Sequence, residues 1–361
     1  MRIRVDSIGC RLNISEVEEM ARRFAGAGHR LVGPGEATDL YVFNSCAVTH
    51  TAARKSRQVI RQMRRANPTA VVVVTGCYAE LSPADVKALG VDLVVGNEHK
   101  DHLPDLLAEA GWLKDADPLP AADAASFISP ASPLADSHTR AFIKVQDGCD
   151  NRCTFCIVTL ARGAGRSRPI PQVITEINRL VSQGYQEAVL SGVHLGSYGH
   201  DWGDAQGLPR LIRAILAETD LPRLRLSSLE PWDLDAEFFE LWQEKRLLPH
   251  LHLPLQSGSD SVLRRMARHT TQARFAQLVQ TARHIIPDVA ITTDLIVGFP
   301  GETEPEFAES MAFVEDMEFA RLHIFRYSRR EGTVAARRKE QVPAPLVQER
   351  SQQLHRLNAD L

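Results

Sequence analysis

Gly148-Cys149-Asp150-Asn151-Arg152-Cys153-Thr154-Phe155-Cys156-Ile157 sets three thiols at the spacing C-x3-C-x2-C, directly after the apolar run Ala141 to Gln146. Three thiols this close read as a metal or cluster site. A tetrahedral structural zinc ion takes four ligands, and so does an ordinary four-cysteine iron-sulfur site. No further Cys or His follows before His194. Three thiolates instead suit a [4Fe-4S] cluster with one iron left open to a small ligand; a degenerate zinc knuckle is the plainer alternative.

Downstream, strand-type apolar runs recur at Glu187 to Ser191, Arg223 to Ser227, His250 to Leu255, Ala290 to Val297 and Leu322 to Arg326. With the run before Cys149 they make six, most of them separated by helical stretches. Six β/α repeats fit a full or partial parallel barrel, whose chemistry sits at the C-terminal strand ends. Upstream, short apolar runs (Ile3 to Val5, Leu40 to Phe43, Val71 to Val74, Leu93 to Val95) alternate with helical stretches at Ile14 to Ala27 and Thr51 to Ala66. That is the pattern of an open α/β domain with a parallel sheet. Between Gly111 and Ser137 the sequence is rich in Ala, Pro, Asp and Ser without a period, as linkers are. The expected organisation is a domain at 1–112, a linker at 113–137 and a second domain at 138–361, closing in one helix from Pro345 to Leu361.

The chain of 361 residues is 44% hydrophobic and 24% charged, with 42 Lys and Arg against 45 Asp and Glu. A disordered tail protein and a supercharged nucleic-acid packager are excluded. The opening residues show no apolar signal core, and the run Ala70 to Val74 is far short of the ~20 residues of a membrane span. A cytoplasmic protein without membrane contact is the expectation. In that reducing compartment six cysteines point to redox, metal or cluster roles rather than structural disulfides.

The other three cysteines each stand just past a strand: Cys10 after Arg2 to Ser7, Cys46 after Leu40 to Asn44, and Cys77 after Val71 to Thr75. Strand carboxyl ends line one edge of an open parallel sheet, so these distant residues are placed to converge on a second three-thiolate cluster. Singly, each reads as a small buried hydrophobe.

The words Gly9-Cys10-Arg11-Leu12-Asn13-Ile14-Ser15-Glu16, Asn44-Ser45-Cys46-Ala47-Val48-Thr49, Gly76-Cys77-Tyr78-Ala79-Glu80 and Ala161-Arg162-Gly163, with the Cys149 to Cys156 run, resemble the radical S-adenosylmethionine methylthiotransferases. The resemblance spans residue 3 to about residue 340. It implies two [4Fe-4S] clusters: a radical cluster on Cys149, Cys153 and Cys156 that binds and cleaves S-adenosylmethionine, and an auxiliary cluster on Cys10, Cys46 and Cys77 that holds the sulfur to be inserted. The fold implied is an N-terminal open α/β domain followed by a partial (β/α)6 radical barrel. The small C-terminal β-barrel RNA-binding domain with which the family typically ends is not evident in this sequence. Gly-Cys-Arg-Leu-Asn is similar to the Gly-Cys-Lys-Val-Asn of the group acting at C2 of N6-threonylcarbamoyladenosine, position 37 of the tRNA anticodon loop. Isopentenyladenosine and ribosomal-protein groups typically read Gly-Cys-Gln-Met-Asn and Gly-Cys-Pro-Lys-Asn. Implied partners are tRNA, a sulfur source and an electron donor such as flavodoxin or ferredoxin. A non-catalytic iron-sulfur carrier or sensor is the rival from another class, and it requires four protein ligands per cluster.

Phe155 matches the family position beside the cofactor's adenine, or simply packs around the cluster. Gly192 and Val193 close the second barrel strand, where a glycine leaves room for the methionine amino group or marks a plain turn. Glu230, Gln256 and Asp294 follow at later strand ends as candidate polar contacts to cofactor or substrate. For RNA, residues 51–65 carry six basic side chains and no acidic one. Arg54, Arg57, Arg61, Arg64 and Arg65 fall largely along one helix side, a candidate phosphate ridge. Arg162, Arg166 and Arg168 form a second basic cluster, and Arg326, Arg329 and Arg330 a third.

Overall fold

The computed structural model describes residues 1–113 and 140–361, so the linker expected at 113–137 lies, but for Leu113, outside the described residues. Two compact units emerge. The first comprises Met1–Lys144, Leu160–Gly163 and Thr175–Ala188, and the second Val145–Thr159, Ala164–Ile174 and Val189–Leu361.

In the first unit the chain runs β1 (Arg2–Ser7), α1 (Arg11–Gly26), β2 (Arg30–Leu31), β3 (Leu40–Ser45), α2 (His50–Ala66), β4 (Val71–Gly76), α3 (Cys77–Leu81), α4 (Pro83–Lys87), β5 (Leu93–Val94), α5 (Leu103–Glu109) and β6 (Ala141–Lys144). Strands β1 to β5 form one parallel sheet in the order β2-β1-β3-β4-β5. Parallel pairing needs crossovers, and the helices provide them, covering both faces. The near-continuous apolar character of β3 and β4 follows, since every residue of β3 is buried. Alternation along the strands divides them between two cores. Tyr41, Phe43, Val72 and Val74 pack with Ala53, Ile60 and Met63 of α2. Leu40, Val42 and Val73 pack with Met20 and Phe24 of α1 and with Leu103 and Leu107 of α5. The register pairs Ser7 with Asn44 and Ser45 with Gly76, so β1, β3 and β4 end level. Gly76, at φ 91°, makes the turn out of β4; a Cβ there would lie 2.3 Å from Asn44 Oδ1 and 2.4 Å from Ser45 O.

The chain continues through β7 (Gln146–Asp147), α6 (Val158–Arg162), β8 (Arg166–Ser167), α7 (Ile170–Ser182), β9 (Glu187–Ser191), α8 (Gly207–Glu218), β10 (Arg223–Leu226), α9 (Ala236–Phe239), β11 (His250–His252), α10 (Asp260–Met266), α11 (Gln272–Ile285), β12 (Ala290–Val297), α12 (Glu304–Asp316), β13 (Arg321–Arg326) and α13 (Ala344–Asp360). In the second unit Ser227 N–H donates to Leu190 O, and parallel bridges at Leu224–Leu247 and Ser228–His252 carry the arc from β10 to β11. Strands β11, β12 and β13 complete it in parallel. This is the partial barrel expected from the β/α alternation. Its helices start on chain signals: Thr303 and Glu306 form a reciprocal capping box ahead of α12. Among the described residues no helix is long and apolar enough to cross a membrane.

Candidate functional site

The level ends of β1, β3 and β4 bring Cys10, Cys46 and Cys77 together. Cys10 caps α1 and Cys77 is the first residue of α3, while Cys46 is held from α2 by Ser56, whose Oγ accepts from Cys46 N–H at 3.1 Å and donates to Cys46 O at 3.0 Å. A Cβ on Gly9, at φ 124°, would sit 2.8 Å from Cys46 Cβ, so the Gly9-Cys10 turn lies directly on Cys46. The thiols also feel one another. Dense surroundings push Cys10 up and burial pushes Cys46 up to about 11, with Cys77 adding to both and Arg162 pulling both down.

Behind the thiols lies a buried ion network. Glu16, wholly enclosed, receives Arg162 at 2.9 Å, Lys100 at 2.6 Å, Lys144 at 3.5 Å and the Asn44 amide at 2.8 Å. Arg162 also donates to Asn13 Oδ1 at 2.8 Å, and Cys10 Sγ lies 3.6 Å from that same oxygen. Burial alone raises a carboxyl's pKa, but Arg162, Lys100 and Lys144 outweigh it and hold Glu16 well below the ordinary range. The Cys-x-x-Asn-x-x-Glu spacing thus puts cap, amide and carboxylate on successive turns of α1.

The second triplet lies on the loop between β7 and α6. Thr154 anchors it: its N–H donates to Met266 O at 2.9 Å, its hydroxyl to Arg265 O at 2.8 Å, and its carbonyl accepts from Ala335 N–H at 2.8 Å. Burial pushes Cys156 up to about 12 and raises Cys153. The thiolate is the ligand form, so loading either triplet must release protons. His194, distant in sequence, comes to Cys149, but its ring nitrogens already have partners: Nε2 lies 2.5 Å from Asp233 and Nδ1 3.3 Å from Asn151. Burial opposes its charge, yet Asp233 and then Cys149 raise it to about 10. Among the described residues, one group of ligand atoms lies within 4.8 Å of one another, and it contains no cysteine. In each thiol triplet at least one pair of sulfurs is therefore more than 4.8 Å apart, beyond the roughly 3.8 Å between ligands of a tetrahedral ion with bonds of about 2.3 Å. The donor set, three soft sulfurs, fits a four-iron cluster with one open iron.

The remaining sequence candidates separate. Glu230 gives both carboxylate oxygens to Arg268 (3.1 and 2.6 Å), and Arg268 also reaches Cys153 Sγ at 3.7 Å and lies 4.5 Å over the Trp232 ring. Sequence reading missed Arg268 because nothing in the run Leu263 to Thr270 distinguishes a buried guanidinium from a solvated one. Phe155 packs against the cluster of Val262, Met266, Phe299 and Ala335. Gly192 lies against Gln146, whose Oε1 would be 3.0 Å from a Cβ there; Val193 is half-buried. Gln256 stands at φ 79°, an uncommon backbone for a side chain of this kind, with its N–H on Asp294 O. Asp294 meets His252 and His323.

The basic residues need correcting. Arg162, expected at RNA, is buried on Glu16 and turned toward the thiols. Arg64 is occupied by Gly90 O, Ala70 O and Asp92, and Arg57 by Tyr78, whose ring lies 5.7 Å from its guanidinium. Arg54, Arg61, Arg65 and Arg166 are exposed.

Residues 2–96 match the family model described as Uncharacterized protein family UPF0004, and residues 143–314 match the Radical SAM superfamily. The threonylcarbamoyladenosine tRNA methylthiotransferase MtaB of Bacillus subtilis is 40% identical over 362 residues, 98% of this chain and 78% of the relative. The tRNA-2-methylthio-N(6)-dimethylallyladenosine synthase of Thermobifida fusca is 36% identical over 357 residues, 97% and 72% of the two chains. In fold, the radical S-adenosylmethionine methyltransferase TsrM of Kitasatospora setae superposes with a TM-score of 0.67 over 93% of this chain and 77% of that one, at 16% identity.

If Arg162 is the buried counter-charge of Glu16, Arg162→Met lowers stability by about 3 kcal/mol in urea unfolding of the cluster-free protein. Glu16→Gln in the same background lowers stability further, because the wholly buried Lys100 then loses its carboxylate. Because the folded pKa of Glu16 is depressed, its contribution is present above the ordinary carboxyl range and is lost as pH falls through the folded value. A wild-type midpoint for Arg162→Met returns this residue to the surface role.

Proposed function

Because this chain belongs to the MtaB-like radical S-adenosylmethionine methylthiotransferases, we propose that it places a methylthio group at C2 of N6-threonylcarbamoyladenosine, position 37 of the tRNA anticodon loop. The observation that carries the reading is the convergence of Cys10, Cys46 and Cys77 on one sheet edge of a chain that also holds the Cys149-Cys153-Cys156 loop. S-adenosylmethionine supplies the methyl group and the radical, and the clusters supply the electron and the seat for sulfur. The chain's own residues position and neutralise. Cys149, Cys153 and Cys156 would hold the radical cluster, with Arg268 against Cys153; Cys10, Cys46 and Cys77 would hold the auxiliary cluster, with the Arg162 charge favouring the thiolates of Cys10 and Cys46.

Arg11-Leu12 after Cys10 supports the threonylcarbamoyl substrate over isopentenyladenosine or a ribosomal protein. tRNA phosphates meet the exposed side of α2 at Arg54, Arg61 and Arg65, and Arg166. The protein acts in the cytoplasm with a flavodoxin- or ferredoxin-type donor and a separate sulfur source.

Mass spectrometry of tRNA nucleosides from cells lacking and then re-expressing this chain tests the substrate. The methylthio form of threonylcarbamoyladenosine is expected to vanish and return while that of isopentenyladenosine stays constant; the reverse pattern overturns the assignment. For the RNA surface, Arg54→Gln with Arg61→Gln should weaken tRNA binding and flatten its log-log salt dependence by about 2. An unaltered slope removes α2 from the interface.

A further inference from the structure

The proposed chemistry makes no use of a second set of metal-type ligands, in the second unit. Strands β11, β12 and β13 are parallel, with His252 opposite Thr292 and Asp294 opposite His323. Side chains two apart on a strand share a face, so Thr292, Asp294 and their cross-strand partners project together. His252 Nε2 lies 3.2 Å and His323 Nδ1 3.3 Å from the same oxygen, Asp294 Oδ1. The two imidazoles are 5.1 Å apart and inclined by 28°.

The surroundings define what these atoms offer. Thr292 Oγ1 is 2.8 Å from His252 Nδ1 and 3.4 Å from Leu251 O. In the tautomer that carries its hydrogen on Nδ1, the hydroxyl accepts from Nδ1–H and gives its own hydrogen to that carbonyl, and Nε2 presents a lone pair to the carboxylate oxygen. In that tautomer two lone pairs face each other, and a positive charge between them satisfies both. A shared proton would draw imidazolium and carboxylate to about 2.7 to 2.9 Å. Bonds of about 2.1 Å to one ion, opened by roughly 90 to 110°, set ligand atoms about 3.0 to 3.4 Å apart, as found here. The Thr292 contact is the outer-shell hydrogen bond that orients a metal-ligating imidazole. His252 is buried, but 39% of the His323 side chain and 23% of Asp294 remain accessible, which leaves coordination positions open.

We propose that His252, Asp294 and His323 form a site for one divalent first-row transition ion, zinc or ferrous in class, with its remaining positions open to water or a substrate oxygen or nitrogen. The ligands are nitrogen and oxygen throughout, which separates this site from both thiol triplets.

The test dialyses the full chain, with both clusters loaded and under anaerobic conditions, against Zn²⁺, followed by metal analysis. Wild type should take up about one zinc per chain above its iron. His323→Gln and Asp294→Asn should bind at least about tenfold more weakly at unchanged iron content, and Thr292→Val about 10- to 100-fold more weakly. Zinc-edge X-ray absorption of the wild type should show nitrogen and oxygen neighbours only. No zinc uptake, uptake equal in all four proteins, or sulfur at about 2.3 Å each overturns the site. Should a variant lose its iron as well, the wild-type absorption spectrum still decides.

Discussion

The Glu16–Arg162 pair is the interaction on which the charge balance behind Cys10 and Cys46 depends. It is enclosed, it recruits a segment from well beyond β6, and through Arg162 it opposes the rise that burial imposes on Cys10 and Cys46. A buried carboxylate is costly unless paired, and a buried arginine equally so; Glu16 is met by Arg162, Lys100 and Lys144, and Arg162 by Glu16 and Asn13. The outcome is a positive side chain fixed behind thiols that must become thiolates. Lys100 and Lys144 hold the same carboxylate, so the charge stays in place whether or not the thiols carry protons.

The second triplet is built differently. Its loop has no sheet edge to define it, and the main-chain and hydroxyl bonds of Thr154 do that work from between Cys153 and Cys156. Its cation, Arg268, is held by Glu230 and laid over Trp232, so it approaches Cys153 from a fixed direction. Both sites combine three sulfurs, a fixed guanidinium and a carboxylate that orients it. At Cys149 the one nearby imidazole, His194, is already bonded to Asp233 and Asn151.

Much of this was legible in the chain. The alternation of short apolar runs with helical stretches gave the parallel sheet and the barrel arc, because parallel strands buried on both faces must be apolar and must be separated by crossovers. The position of each cysteine just past a strand foretold that Cys10, Cys46 and Cys77 meet, because strand ends of a parallel sheet are level. What could not be read was burial of charge. Arg162 sits in a basic-looking run and was assigned to RNA, yet one-dimensional charge counting cannot see Glu16 waiting 146 residues away. Arg64 likewise pairs with Asp92, a partner that its own run does not show. His252, Asp294 and His323 become neighbours through strand register alone, which spacing along the chain does not reveal.

The central claim is that the two cysteine triplets are separate, independently loaded cluster sites. It is tested most directly by iron and sulfide analysis with Mössbauer spectroscopy, comparing the anaerobically reconstituted wild type with a Cys10→Ala, Cys46→Ala, Cys77→Ala variant. The account predicts about eight irons falling to about four, with reductive cleavage of S-adenosylmethionine retained and methylthio product lost. A variant that still carries eight irons, or that still forms the methylthio nucleoside, contradicts it.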